Sequence, residues 1–283
     1  MLPNMEKKRV GSTFAANGKN TAVAEKREDG GQRSEGKKAE TVQLHLENLE
    51  MSGGMSVGNR EERFECITVI GQIEGHYLLP EGQKSTKYEQ LIPLLVSIEE
   101  SEDVDGVLLI LNTMGGDVEA GLALSEMIAS MSKPTVSLVL GGGHSIGVPL
   151  ATATDYSLIV PSATMTVHPV RISGLVVGVP QSFRYMSEMQ KRIVSFICSH
   201  SKAKREDIEA LMMRPDQMAT DCGSILEGHE AVEHGIIDEV GGLSRALEVL
   251  RSLVSGQKKQ EGRKRKRNSH KKQPDGQGKE KIE

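Results

Sequence analysis

Residues 141–150 read GGGHSIGVPL. The stretch follows an apolar, β-like run at 135–140 and opens a small-residue segment at 149–154. Glycines between a strand and a helix let backbone N–H groups face a ligand and admit conformations barred to residues with a Cβ. Ser145 at such a turn is a candidate nucleophile. Serine is also a common helix N-cap, and on this stretch alone the cap is the plainer reading.

Working outward, the run VDGVLLIL at 104–111 is continuous and apolar, short enough for a buried strand of the parallel type. NTMGGD (112–117) follows, then a helix-like run over 118–131 that Lys133-Pro134 ends. Beyond Ser145 the pattern predicts a short helix to about Ala153 and a strand over 156–160. A turn at Pro161-Ser162 precedes a second strand, 164–167, that leads into His168-Pro169. Strands and helices alternating across glycine turns indicate an α/β fold.

At the edges, 64–70 reads as a first strand broken by Gly71, and 87–100 as a helix burying Tyr88, Leu91, Leu95 and Ile98. Pro93 is expected to shift or kink the start of that helix. Residues 171–180 read as a loop or hairpin. A long amphipathic helix spans 181–200, with Phe183, Met186, Met189, Ile193 and Ile197 on one face. There follow a helix at 204–213 closed by Pro215, a strand at 225–226, a helical turn at 230–234 stopped by Gly235, a strand at 236–240 and a closing helix at 243–253.

The chain has 283 residues, with few aromatics and no tryptophan. Residues 1–62 are too polar to offset chain entropy and read as a disordered extension; 63–253 form the folded domain, and 254–283 read as a disordered basic tail containing GRKRKRN (262–268). Net charge is about −14 over 61–250 and about +8 over 251–283, so the acidic body argues against a nucleic-acid surface, which only the tail could supply. Three scattered cysteines (Cys66, Cys198, Cys222) make neither a disulfide framework nor a zinc site; no metal or cofactor is expected. No apolar run approaches the ~18 residues of a membrane span, and the N-terminus lacks a signal-peptide core, so a cytoplasmic protein is expected.

Acyl transfer by a serine needs a base within hydrogen-bond reach and donors for the oxyanion. The chain offers a glycine pair after a strand (Gly115, Gly116), Ser145 at a glycine turn, and His168 just after the next strand, all at loop ends where a parallel sheet places its sites. The ordered set LNTMGGD (111–117), GGHSIG (142–147), VPSATMTVHP (160–169) and EAVEHGIIDEV (230–240) resembles the Clp protease proteolytic subunit family, and within it the translocation-enhancing branch of sporeformers. The likeness spans roughly residues 63–250. It implies a ClpP/crotonase-like α/β fold of repeated ββα units with a protruding handle helix, here 181–200. By position it implies Ser145 as nucleophile, His168 as general base, and the amides of Gly116 and Ile146 as the oxyanion hole, with Gly115 supporting the same turn. Laid on the family pattern without gaps, the triad aspartate falls on Ala219; Asp221 is assigned the role, with Asp216 second. His144 stands where the family carries a small residue, as a second base or a polar neighbour. A homo-oligomeric ring, extended polypeptide substrates and an unfolding ATPase on a separate chain are further implications, since the chain has no Walker motif of its own.

Two other functions fit parts of the pattern. A crotonase-like acyl-CoA enzyme would share the core and a run like 142–159, but would need glutamates where Ser145 and His168 stand. A non-catalytic scaffold would keep the fold and dispense with the aspartate.

Overall fold

The computed structural model describes residues 55–58, 62–172, 178–215 and 222–270, with side chains at 56, 62–172, 178–215 and 222–260. Its centre is a sheet of strands in the order β1-β2-β4-β5-β6-β9. These are β1 (Met55–Gly58), β2 (Arg63–Glu74), β4 (Gly106–Gly116), β5 (Thr135–Gly143), β6 (Tyr156–Ile159) and β9 (Glu239–Val240). From β2 to β9 every neighbouring pair along this path is parallel. Strand β3 (Ser85–Lys87) pairs with β2; β7 (Thr164–Val167) pairs with β5 and, antiparallel, with β8 (Ser224–Glu227). The expected α/β class is the observed one.

Both faces of the sheet are covered, which explains the near-continuous apolar runs of β4 and β5. One face carries α1 (Tyr88–Glu100), α2 (Val118–Ala129), α3 (Gly147–Thr152), α4 (Val179–Ser199), α5 (Arg205–Met212) and α6 (Gly228–Glu233), packed through Val69, Leu109, Leu111 and Val139. The other is closed by one helix, α7 (Leu243–His270), whose Ala246, Val249, Leu250 and Val254 meet Phe64, Leu108, Val136, Leu138 and Leu158.

Several boundaries differ from the sequence expectation. The segment read as disordered contains β1, paired with β2 from Met55↔Cys66 to Gly58↔Arg63 and joined by a 2.5 Å bond from Ser56 Oγ to Glu65 Oε1. Gly71 does not end β2: its φ of +79° carries a bulge, and the strand runs on to Glu74. Pro93 lies inside α1, which buries Leu91, Leu94, Leu95 and Ile98, so Leu94 takes the place expected for Tyr88. The last strand is only Glu239–Val240. The closing helix does not stop at Leu253 and the domain does not end there. Val254 is buried, Gln257 Nε2 donates to Ser132 O at 3.1 Å, and Lys258 pairs with Asp105 at 2.7 Å. Lys, Arg and Gln are good helix formers, so the polar composition that suggested a tail also sustains the helix. Among the described residues no helix is long and apolar enough to cross a membrane.

Candidate active site

The glycines at 141–143, expected in a loop, complete β5: Gly142 sits opposite Thr164 of β7 and Gly143 opposite Thr113 of β4. The chain turns one step later, at Ser145, whose φ is +58°; among the described residues it is the one non-glycine with positive φ. That region costs a side chain roughly 1–2 kcal/mol and persists only where surroundings over-determine it. Here they do. Ser145 N donates to Thr166 O at 2.8 Å, His144 N to Thr113 O at 3.1 Å, and Gly147 N and Val148 N to the carbonyls of His144 and Ser145 at 2.9 and 3.0 Å. Ile146 is buried against α2 at Gly121, where a Cβ would strike it. The cap position of α3 is Ile146, with no side-chain cap bond, so Ser145 is not the helix cap that its own stretch suggested.

The end of β4 is pinned beside this turn. Thr113 Oγ1 donates to Gly71 O at 2.6 Å and accepts from Gly115 N at 3.0 Å. Asp117 N donates to Ile73 O at 3.0 Å, while its carboxylate caps α2 by accepting from Ala120 N at 2.9 Å. Gly115 and Gly116 have φ of +87° and +155°. A Cβ on Gly115 would lie 2.7 Å from Ser145 Cβ, and one on Gly116 would collide with the Ile73 backbone. Only glycine fits either place.

His168 follows β7, two residues beyond the Thr166 carbonyl that holds Ser145. Its Nδ1 lies 2.6 Å from Pro169 O. A carbonyl can only accept, so in the neutral ring Nδ1 carries the proton and Nε2 the lone pair. Gly116, Ser145, Ile146 and His168 border one cavity of about 230 Å³. Its apolar wall includes Val148, Val170, Ile193, Ile197 and Met212. Asp221, Asp216 and Ala219 lie outside the described residues, as does the loop segment 173–177. A serine, a histidine with an unprotonated Nε2, and the backbone of one strand end (Gly116) and one turn (Ile146) on the same cavity are the groups acyl transfer calls for. A larger hollow of about 500 Å³ lies between α2 and α4, where Glu119, Glu126, Lys191 and Arg192 give mixed charge; of the Ser195, Ser199 and His200 that also line it, His200 Nδ1 is bonded to Phe196 O at 2.9 Å and Ser195 Oγ to Arg205 at 2.8 Å. Among the described residues no cluster of His, Cys, Asp and Glu could hold a metal ion.

His144 is half-buried, its Nδ1 2.8 Å from Thr166 Oγ1. Burial, and then the charge of nearby His168, hold its imidazole below the ordinary histidine value. Thr166 escaped the sequence reading: it is one of two Thr residues in a short alternating strand, and only strand pairing reveals its contacts. The long helix α4 is anchored by Arg192, which bonds both oxygens of Glu119 on α2 at 2.9 and 3.2 Å, and it buries Met189, Ile193, Val194, Phe196 and Ile197. Phe183, on the apolar face read from the sequence, is 71% exposed.

Residues 60–243 match the family model described as Clp protease. The chain is 52% identical over 213 residues to the translocation-enhancing protein TepA of Halalkalibacterium halodurans, covering 75% of this chain and 83% of that protein. It is 26% identical over 140 residues to the ATP-dependent Clp protease proteolytic subunit 1 of Chlamydia abortus, covering 47% of this chain and 69% of that subunit. Among solved structures, a ClpP1 mutant from Listeria monocytogenes superposes with a TM-score of 0.51 at 20% identity, over 64% of this chain and 94% of that one; this likeness is one of fold.

Proposed function

The chain belongs to the Clp protease family, and from that membership we propose that it is a serine-type endopeptidase that hydrolyses unfolded or misfolded polypeptides through an acyl-enzyme. Ser145 Oγ attacks the scissile carbonyl while His168 Nε2 takes its proton and passes it to the leaving amine. The amides of Gly116 and Ile146 donate to the oxyanion. Water, deprotonated by the same histidine, then releases the acyl group. Asp221 is assigned to the imidazolium by its place in the sequence. The apolar wall of the cavity receives the side chain preceding the cut, and the substrate lies extended across the strand ends.

One observation carries this reading. A serine in the left-handed region is held by the carbonyl of Thr166, two residues from a histidine that borders the same cavity. The exposed start of α4, with Val179, Phe183 and Tyr185 between 61% and 71% accessible, supports a ring of copies assembled through that helix. An ATPase on a separate chain would feed such a ring, and the name of the TepA relative, translocation-enhancing protein, points to service in protein export.

The test is cleavage of a denatured, fluorescently labelled protein by the purified oligomer. Peptide products from wild type and none from Ser145→Ala are expected. Cleavage that survives in Ser145→Ala would overturn the assignment. A wild-type oligomer that binds the substrate and never cuts it would favour the scaffold reading.

A further inference from the structure

We propose that His144 is a positioning residue that clamps the nucleophile turn to the strands on either side of it, through Thr113 and Thr166; the inference rests on the peptidase reading above. Three parts must keep register for Ser145 to react: the Gly115-Gly116 end of β4, the turn itself, and His168 at the end of β7. His144 touches all three. Its amide donates to Thr113 O at 3.1 Å, two residues before Gly115, and its carbonyl accepts from Gly147 N at 2.9 Å. That carbonyl lies so near Gly115 that a Cβ there would be 2.8 Å away. Its ring reaches the other way, sharing a 2.8 Å hydrogen bond between Nδ1 and Thr166 Oγ1.

Thr166 is therefore gripped twice, at its carbonyl by Ser145 N and at its hydroxyl by His144, both at 2.8 Å. Two residues on stands His168, so a shift of this strand changes the distance between base and nucleophile. The imidazole also lies on the backbone of Gly142, where a Cβ would be 2.6 Å from Nε2 and 2.7 Å from Cδ2. A rigid planar ring spans from one strand end to the next with only two side-chain torsions to fix. A small residue at 144 would leave that space open and the Thr166 hydroxyl without this partner. The geometry also decides between the two roles open from sequence. Nδ1 is engaged with Thr166 Oγ1 and Nε2 lies against the backbone of Gly142, so both ring nitrogens are taken up within the turn and His144 acts through Thr166 and not as a second base.

The experiment compares the rate of fluorophosphonate labelling and the kcat and KM for a short chromogenic peptide in the assembled full-length protein. The variants are His144→Leu, Thr166→Val, the double variant, and the conservative pair His144→Asn and Thr166→Ser. Because small displacements of reacting groups carry large rate penalties, His144→Leu and Thr166→Val should each lower labelling rate and kcat about tenfold with KM unchanged. The double variant should lose no more than either single one, since both break the same bond. His144→Asn and Thr166→Ser, which keep a hydrogen-bonding group in place, should recover most of the rate. Single variants that label at the wild-type rate would overturn the inference, as would losses that multiply in the double variant or a conservative pair no better than the disruptive one. A loss matched by the same fall in melting temperature and oligomer size across all variants would also overturn it, assigning His144 to stability alone. Wild type that takes no probe sinks the peptidase reading and this inference with it. Labelled wild type with unaffected variants sinks only this one.

Discussion

The turn at Ser145 and the first half of α4 are built in opposite ways. Around Ser145 the amides of His144, Ser145, Gly147 and Val148 are bonded to β4, to β7 and to the turn's own carbonyls, and Ile146 is 1% exposed. In α4 the side chains of Val179, Phe183 and Tyr185 are 68%, 71% and 61% exposed, and the helix buries its face only from Met189 onward. The first region is complete within one chain and keeps a strained φ by over-determination. The second leaves apolar surface in water that an isolated chain gains nothing by exposing. Under the proposed function chemistry falls to the turn and assembly to the helix, and substitutions should separate them.

The sharpest way to break the turn without touching a reacting side chain is Gly115→Ala. Its Cβ would press on Ser145 and the backbone would be held at φ +87°, so cleavage should fall about a hundredfold while the oligomer survives. An unchanged kcat would mean that the two turns are not packed as described. Asp221→Asn should cost less than Ser145→Ala, since Pro169 O already fixes the tautomer of His168, and its effect should be read as kcat on a short peptide. Equal, complete losses in both variants would show that the carbonyl contributes no orientation. For the helix, Phe183→Asp combined with Tyr185→Asp should reduce particle size on gel filtration with less than about 1 kcal/mol lost from the stability of the chain itself, as expected for exposed positions. A large drop in melting temperature at unchanged size would move those residues from an interface into the core.

The smallest effect is expected at α7. Burial raises the Asp105 carboxyl, but the hydrogen bond and charge of Lys258, the Arg63 amide and the Lys133 charge outweigh it and hold the group below the usual carboxylate range. A depressed folded value stabilises the protein above the unfolded value, about 3.9, and that contribution disappears as pH falls through the folded one. Lys258→Ala should therefore lower stability at pH 7 by well under ~1 kcal/mol, because Lys258 is half-exposed, and should leave stability unchanged near pH 2. Equal losses at both pH values would point to lost packing of the lysine stem instead.

The same contrast explains what could be read from sequence. Buried runs such as those of β4 and β5 are legible because a strand covered on both faces must be apolar throughout. Gly115-Gly116, Ser145 and His168 are legible as an ordered set, since their spacing follows the strand–turn order of the family. Pairing partners are not. That Gly141–Gly143 complete β5, that Ser145 and not a glycine takes the left-handed turn, and that His144 meets Thr166 all depend on register between strands distant in sequence. Residues 55–58 gave no signal because a four-residue strand draws its order from β2, not from its own composition. The basic run after Leu253 misled for the converse reason: composition measures solubility, whereas Val254, Gln257 and Lys258 are placed by the sheet beneath them.

The most direct test of the central claim is site-resolved labelling of the intact wild-type oligomer with a serine-directed fluorophosphonate, the adduct located by mass spectrometry. A single phosphonylated residue is expected, Ser145, with the adduct lost in Ser145→Ala and slowed at least about a thousandfold in His168→Ala. An intact oligomer that takes no probe, or one labelled equally well without His168, would contradict the account.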